Sequence, residues 1–122
     1  MEWSFQDGLP IWQQLYEILR REIAIGGYAP GSKMPTVREL AAQAGVNPNT
    51  MQRALSQLES DNLVITNRTA GRTVTEDREI LENVRRELAR HQVQTYLQQM
   101  ALLGYTAGEA AQLLIQEKEE TP

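Results

Sequence analysis

The chain has 122 residues, 41% of them hydrophobic and 23% charged, the makeup of a soluble globular protein built as one domain plus an appendage or as two small units that need each other. No run of about eighteen apolar residues exists, so no membrane-spanning helix and no membrane partner is expected; there is no cysteine, which excludes disulfides, thiol catalysis and cysteine-ligated zinc. The net charge of −4 would argue against nucleic acid, but residues 1–75 are balanced and the whole deficit lies in residues 76–122.

Pro10 opens the first periodic segment. Ile11, Leu15, Leu19 and Ile23 recur every four residues beside Trp12, Tyr16 and Ile18, which predicts an amphipathic helix with a wide apolar face. Gly26-Gly27 stops it and Pro30-Gly31 makes a turn. Thr36 followed three residues later by Glu39 is a capping box. The short helix it starts, Val37 to about Ala44, is expected to bury Val37, Leu40 and Ala41. Gly45-Val46 then leads into Asn47-Pro48, an N-cap followed by a proline at the first helical position. The third helix runs to about Ser60 with Met51, Leu55 and Leu58 inward. Two capped helices joined by a glycine-containing turn of about three residues have the form of a helix-turn-helix.

Leu63–Thr66 reads as a strand, Asn67–Gly71 as a turn and Arg72–Thr75 as a second strand, so a hairpin wing follows the helix-turn-helix directly. From about Asp77 to Leu103 the pattern is helical again, with Ile80, Val84 and Leu88, then Val93, Tyr96, Leu97 and Met100, on one face. At 1.5 Å per residue such a helix is roughly 40 Å long. Gly104 ends it, and Thr106 with Glu109 forms a second capping box that opens a last helix containing Ala110, Leu113 and Leu114. The charged tail, Glu117–Pro122, is expected to fray. The expected fold is thus mainly α with a small β-hairpin wing: a winged helix-turn-helix over residues 1–75, then a two-helix dimerisation segment over residues 76–122.

The middle of the chain carries the chemistry. Lys33, Arg38, Arg53, Arg68 and Arg72 outnumber Glu39, Glu59 and Asp61 between residues 33 and 72. Asn47, Asn49, Thr50, Gln52 and Arg53 stand at the start of the third helix, the end that approaches base edges and phosphates in a recognition helix. Asn and Gln suit adenine, and Arg suits guanine or phosphate. Arg38 lies in the first turn of the preceding helix, and Arg68 and Arg72 in the wing are placed for a minor groove or the backbone. Singly, each is explained as a solvated or capping residue, Asn47 by capping alone; their convergence within forty residues is what points to double-stranded DNA.

These residues carry a resemblance. Pro10-Ile11-Trp12-Gln13-Gln14-Leu15, Tyr28-Ala29-Pro30-Gly31, Met34-Pro35-Thr36-Val37-Arg38-Glu39-Leu40-Ala41, Gly45-Val46-Asn47-Pro48-Asn49-Thr50 and Arg53-Ala54-Leu55 are similar to the winged helix-turn-helix of the GntR family of bacterial transcription regulators. The resemblance implies a base contact from Arg38, beside Thr36, and DNA contacts from Asn47, Pro48, Asn49, Thr50 and Gln52, with Arg53 a weaker carry-over. Only 47 residues follow Thr75, too few for a large effector domain. That brevity, with Gly71-Arg72 before Val74-Thr75-Glu76-Asp77, resembles the short YtrA-type branch, as do Tyr96–Met100, Leu103–Tyr105 and Thr106–Leu114. The branch implies frequent control of transporter operons; with the absence of cysteine and of a membrane-spanning run, the expected protein is a cytoplasmic, nucleoid-associated regulator acting as a repressor. Thr69 stands where the family wing has a glycine, and Thr73 where an aromatic is usual.

A long helix with Ile80, Val84, Leu88, Tyr96 and Met100 on one face, followed by Leu113 and Leu114, needs a partner surface. A second copy on a two-fold axis supplies one, while part of the stripe is expected to pack on the first helix of its own chain; a homodimer on a palindromic operator is the expected assembly. A small-molecule effector site is conceivable only at that interface, near Tyr96, Met100 and Tyr105. His91 stands alone, and Glu76, Asp77 and Glu79 at a helix start favour the helix dipole, so no metal or cofactor is expected. There is no phosphate loop and no nucleophile–base set, so no catalytic residue is expected either. The competing function is a winged-helix protein-interaction module without specific DNA binding.

Overall fold

The computed structural model describes residues 1–121; Pro122, the end of the predicted fraying tail, lies outside the described residues. The elements in chain order are α1 (Ile11–Ala24), α2 (Val37–Ala44), α3 (Pro48–Ser60), β1 (Val64–Asn67), β2 (Gly71–Val74), α4 (Arg78–Leu102) and α5 (Ala107–Glu120). They form two compact units, Met1–Arg85 and Arg86–Pro122.

In the first unit α1 and α2 pack on α3. The every-fourth-residue pattern of α1 puts Leu15, Leu19 and Ile23 wholly inside, where they meet Leu40 of α2 and Met51, Ala54, Leu55 and Leu58 of α3. Leu63, Val64 and Val74 close the core from the hairpin side, and Val84 joins it from the first turns of α4. Val37, expected to be buried, is half-exposed, and Ile11 faces solvent; both stand in the first turn of a helix, at the edge of the core.

The helix ends follow their caps. Thr36 accepts from the Glu39 N–H at 3.1 Å while Glu39 accepts from the Thr36 N–H at 3.4 Å, the reciprocal pair that starts α2. Gly45 closes α2 at φ +70°, a left-handed conformation that a Cβ would strain. Asn47 Oδ1 accepts from the Asn49 N–H at 2.8 Å and Pro48 occupies the first turn of α3. Asp77 caps α4, its carboxylate accepting from the Glu79 N–H at 3.0 Å.

β1 and β2 pair antiparallel with Val64 opposite Val74 and Asn67 opposite Gly71. Each strand is shifted by one residue from the sequence expectation, because Leu63 closes the α3 end by donating to the Leu58 carbonyl and Asn67 still pairs across the ladder. A third run, invisible to the sequence reading, pairs with the other edge of β2. The Val74 N–H donates to the Ser32 carbonyl at 2.9 Å and the Met34 N–H to the Arg72 carbonyl at 2.8 Å, with Lys33 opposite Thr73.

In the second unit the Thr106 hydroxyl and the Glu109 carboxylate form another capping box at the start of α5. The Tyr96 hydroxyl donates to the Ala110 carbonyl at 2.7 Å, tying α4 to α5. Glu117–Glu120, expected to fray, remain helical. Ala110 is the one fully buried side chain of this unit among the described residues.

Candidate nucleic-acid interface

The first turns of α2 and α3 and the hairpin turn present the residues singled out by sequence. Met51, Ala54, Leu55 and Leu58 fix the inward face of α3, so its 3.6-residue period sends Asn49, Gln52 and Arg53 outward. Asn47, Pro48, Asn49, Gln52 and Arg53 are exposed and Thr50 is half-exposed. The cap that starts α3 consumes the acceptor oxygen of Asn47 and leaves its amide N–H₂ to donate outward. Thr36 is used in the same way: its oxygen serves the cap and its hydroxyl proton stays available. Gln52 donates to the Ser56 hydroxyl at 3.2 Å, one turn along α3.

The arginines fall into three states. Arg38 and Arg68 are exposed and pair with no carboxylate among the described residues. The acid nearest to Arg38 in sequence, Glu39, is turned into the capping box. Arg53 lies with its guanidinium carbon 4.2 Å from the centre of the Trp12 ring. Arg72 is half-buried on β2, its Nε buried without a hydrogen-bond partner.

The wing turn depends on Gly71, which adopts φ +73°. A Cβ built there would lie 3.8 Å from Lys33 Cε, so the lysine side chain runs alongside the turn. Lys33 thereby joins Arg68 and Arg72 around one hairpin. Its charge is plain in the sequence but its place is not, because only the pairing of residues 32–34 with β2 brings it there. Thr73 accepts from Asn67 Nδ2 at 3.1 Å across the ladder. In the sequence Trp12 stands out only as apolar surface; no spacing rule links it to Arg53, forty-one positions later in the chain.

The residues expected at a dimer interface take several positions. Val84 is buried in the first unit, and Ile80, Leu88, Tyr96 and Met100 are half-buried. Leu113 and Leu114 are exposed, as are Leu102, Leu103 and Ile115, with Leu102 82% accessible. Tyr105, Gly108, Glu109, Gln112, Leu113 and Gln116 line an open depression of about 360 Å³ on the second unit. Of Tyr96, Met100 and Tyr105, Tyr105 alone lines that depression. Among the described residues no group of three His, Cys, Asp or Glu side chains stands close enough to hold a metal ion, and no helix is long and apolar enough to cross a membrane.

The family model for bacterial regulatory proteins of the gntR family matches residues 11–74, from the first residue of α1 to the last of β2. The chain is 37% identical over 114 residues to the HTH-type transcriptional regulator YhcF of Bacillus subtilis, covering 89% of this chain and 90% of that one. It is 35% identical over 68 residues to the HTH-type transcriptional repressor YtrA of the same organism, covering 56% of this chain and 52% of that one. Among solved structures, a GntR family transcriptional regulator from Listeria monocytogenes superposes with a TM-score of 0.80 at 32% identity, covering 92% of this chain and 98% of that one.

Proposed function

We propose that this chain, which belongs to the gntR family of bacterial regulatory proteins, is a homodimeric repressor of a palindromic operator. As a member of that family it is a transcriptional regulator with a DNA-binding helix-turn-helix, not an enzyme. The finer reading assigns residues 1–75 to DNA and residues 76–122 to dimerisation.

The observation that carries the DNA reading is the state of Arg38, Asn49 and Arg68. All three are exposed, and no acid neutralises either arginine among the described residues. Arg38, unpaired in the first turn of a capped helix, and Arg68, unpaired in the wing turn, are arranged for an external anion. In this reading Arg38, Asn49, Thr50 and Gln52 face base edges, while Thr36, Asn47, Pro48, Arg68, Gly71 and Arg72, with Lys33, face the sugar–phosphate backbone. Such a protein acts in the cytoplasm, at the nucleoid.

Dimerisation is supported by the second unit's poverty of core. With Ala110 as its one fully buried side chain, it leaves Leu102, Leu103, Leu113, Leu114 and Ile115 in water, and a self-complementary face is the simplest cover. Two recognition helices on one two-fold axis then meet successive major grooves about 34 Å apart. A dimer seated over a promoter excludes polymerase, and the similarity to the YtrA repressor favours that outcome over activation.

The test is selection of bound duplexes from a random pool at near-physiological salt. Enrichment of a two-fold motif with half-sites one helical turn or a multiple apart is the expected result. A folded dimer that enriches nothing overturns the operator assignment in favour of the protein-interaction reading.

A further inference from the structure

We propose that Trp12 positions Arg53 against a DNA phosphate, so that Arg53 adds affinity without reading sequence. The inference rests on the DNA-binding reading above and assigns a part of that surface which sequence left open between guanine and phosphate. Arg53 stands in the second turn of α3, one turn beyond Asn49. Its guanidinium does not project freely: the carbon lies 4.2 Å from the centre of the Trp12 ring, in the first turn of α1. The indole is half-buried and held by the packing of α1 on α3, so it is a fixed platform.

Stacking has two chemical consequences. It uses the face of the guanidinium and leaves the in-plane N–H donors unoccupied; no carboxylate pairs with them among the described residues. It also draws the side chain off α3 toward α1. Bidentate recognition of a guanine needs the fork extended into the groove and coplanar with the base, which would require leaving the ring. A phosphate oxygen imposes no such plane and is reached with the stack intact. Trp12 therefore removes rotamer freedom before binding, a cost that a solvated arginine meets on contact.

The experiment compares wild type, R53A, W12F, W12L and the double variant W12L/R53A, all checked for unchanged melting. Each is titrated against the selected duplex and a random-sequence duplex between about 50 and 200 mM salt. R53A is expected to weaken both duplexes by the same factor and to reduce the slope of log affinity against log salt by about one per bound subunit. W12L should weaken binding by about two- to fivefold while W12F, which keeps an aromatic face, stays near wild type. In the R53A background W12L should add nothing, since its effect passes through the arginine.

A changed base preference at one operator position in R53A overturns the phosphate assignment, and this variant decides that point whether or not W12L folds. An undiminished W12L effect in the R53A background overturns the positioning role. Wild-type protein with no salt-dependent affinity for either duplex overturns the DNA reading itself, and it does so before any substitution is compared.

Discussion

The Tyr16 hydroxyl donates a hydrogen bond to the Asp61 carboxylate, joining the second turn of α1 to the residue that caps the C-terminus of α3. Gln57 approaches the same carboxylate from α3 at 3.4 Å. The recognition helix is thereby anchored at the end away from its exposed start. Burial, and next the bond to Asp61, push the Tyr16 hydroxyl above its ordinary pKa of 10.0.

Tyr16→Phe should cost about 1 kcal/mol in urea unfolding at pH 7, the usual net worth of such a bond at a partly exposed site. The alkaline limb separates the two proteins further. A phenol whose pKa is raised by folding contributes stability that is intact below its unfolded value, near 10, and lost as pH rises toward the folded one. Wild type should therefore lose stability faster than the Phe variant above pH about 10. Parallel curves through that range would show that the bond does not persist in solution.

Asn47 has two duties to separate, since its cap alone explains its presence. Asn47→Ala should destabilise the protein by about 1 kcal/mol through the lost bond to the Asn49 N–H. Asn47→Ser restores a capping oxygen without the amide donors. If Asn47 touches DNA, the Ser variant melts like wild type yet binds the selected duplex more weakly. Equal affinity for the Ser variant would leave capping as its whole role.

What was legible in sequence, and what was not, divides by the range of the interaction. The helix starts at Thr36, Asn47 and Thr106 were readable because a cap is a contract between residues two or three apart. The inward faces of α1 and α3 were readable because Leu15, Leu19 and Ile23, or Met51, Leu55 and Leu58, repeat with the helical period. The pairing of Ser32 and Met34 with β2 was not, because three residues carry no period and their partners lie about forty positions on. The same distance hid Lys33 beside Gly71 and Trp12 beneath Arg53. Local chemistry thus announced the recognition helix, whereas the basic flank around it required the tertiary fold.

Arg38 and Arg68 are both exposed and unpaired among the described residues, yet the proposed docking gives them different work. Arg38→Ala should cost about 1–3 kcal/mol on the selected duplex and relax the base preference at one position in each half-site. Arg68→Ala should weaken all duplexes about equally and flatten the salt dependence by about one unit of slope per site. Repeating the selection with each variant distinguishes them. An unchanged motif from Arg38→Ala would remove it from the base-reading set.

The last prediction concerns the second unit. Leu114 is 52% exposed in this chain, and in the proposed dimer it passes from water into an apolar interface. Leu114→Glu would place a carboxylate there without a partner, a penalty of several kcal/mol set against one subunit contact. Light scattering at micromolar protein should then report a monomer where wild type gives a dimer. Ile25→Glu is the matched control: Ile25 is 59% exposed but belongs to the first unit, so that variant should remain dimeric. Because the core of the first unit owes nothing to Leu114, the monomer should keep its helical circular dichroism while its preference for a two-fold site over a single half-site disappears. A Leu114→Glu protein that stays dimeric moves the interface off this face of α5, and a monomeric wild type removes the dimer altogether.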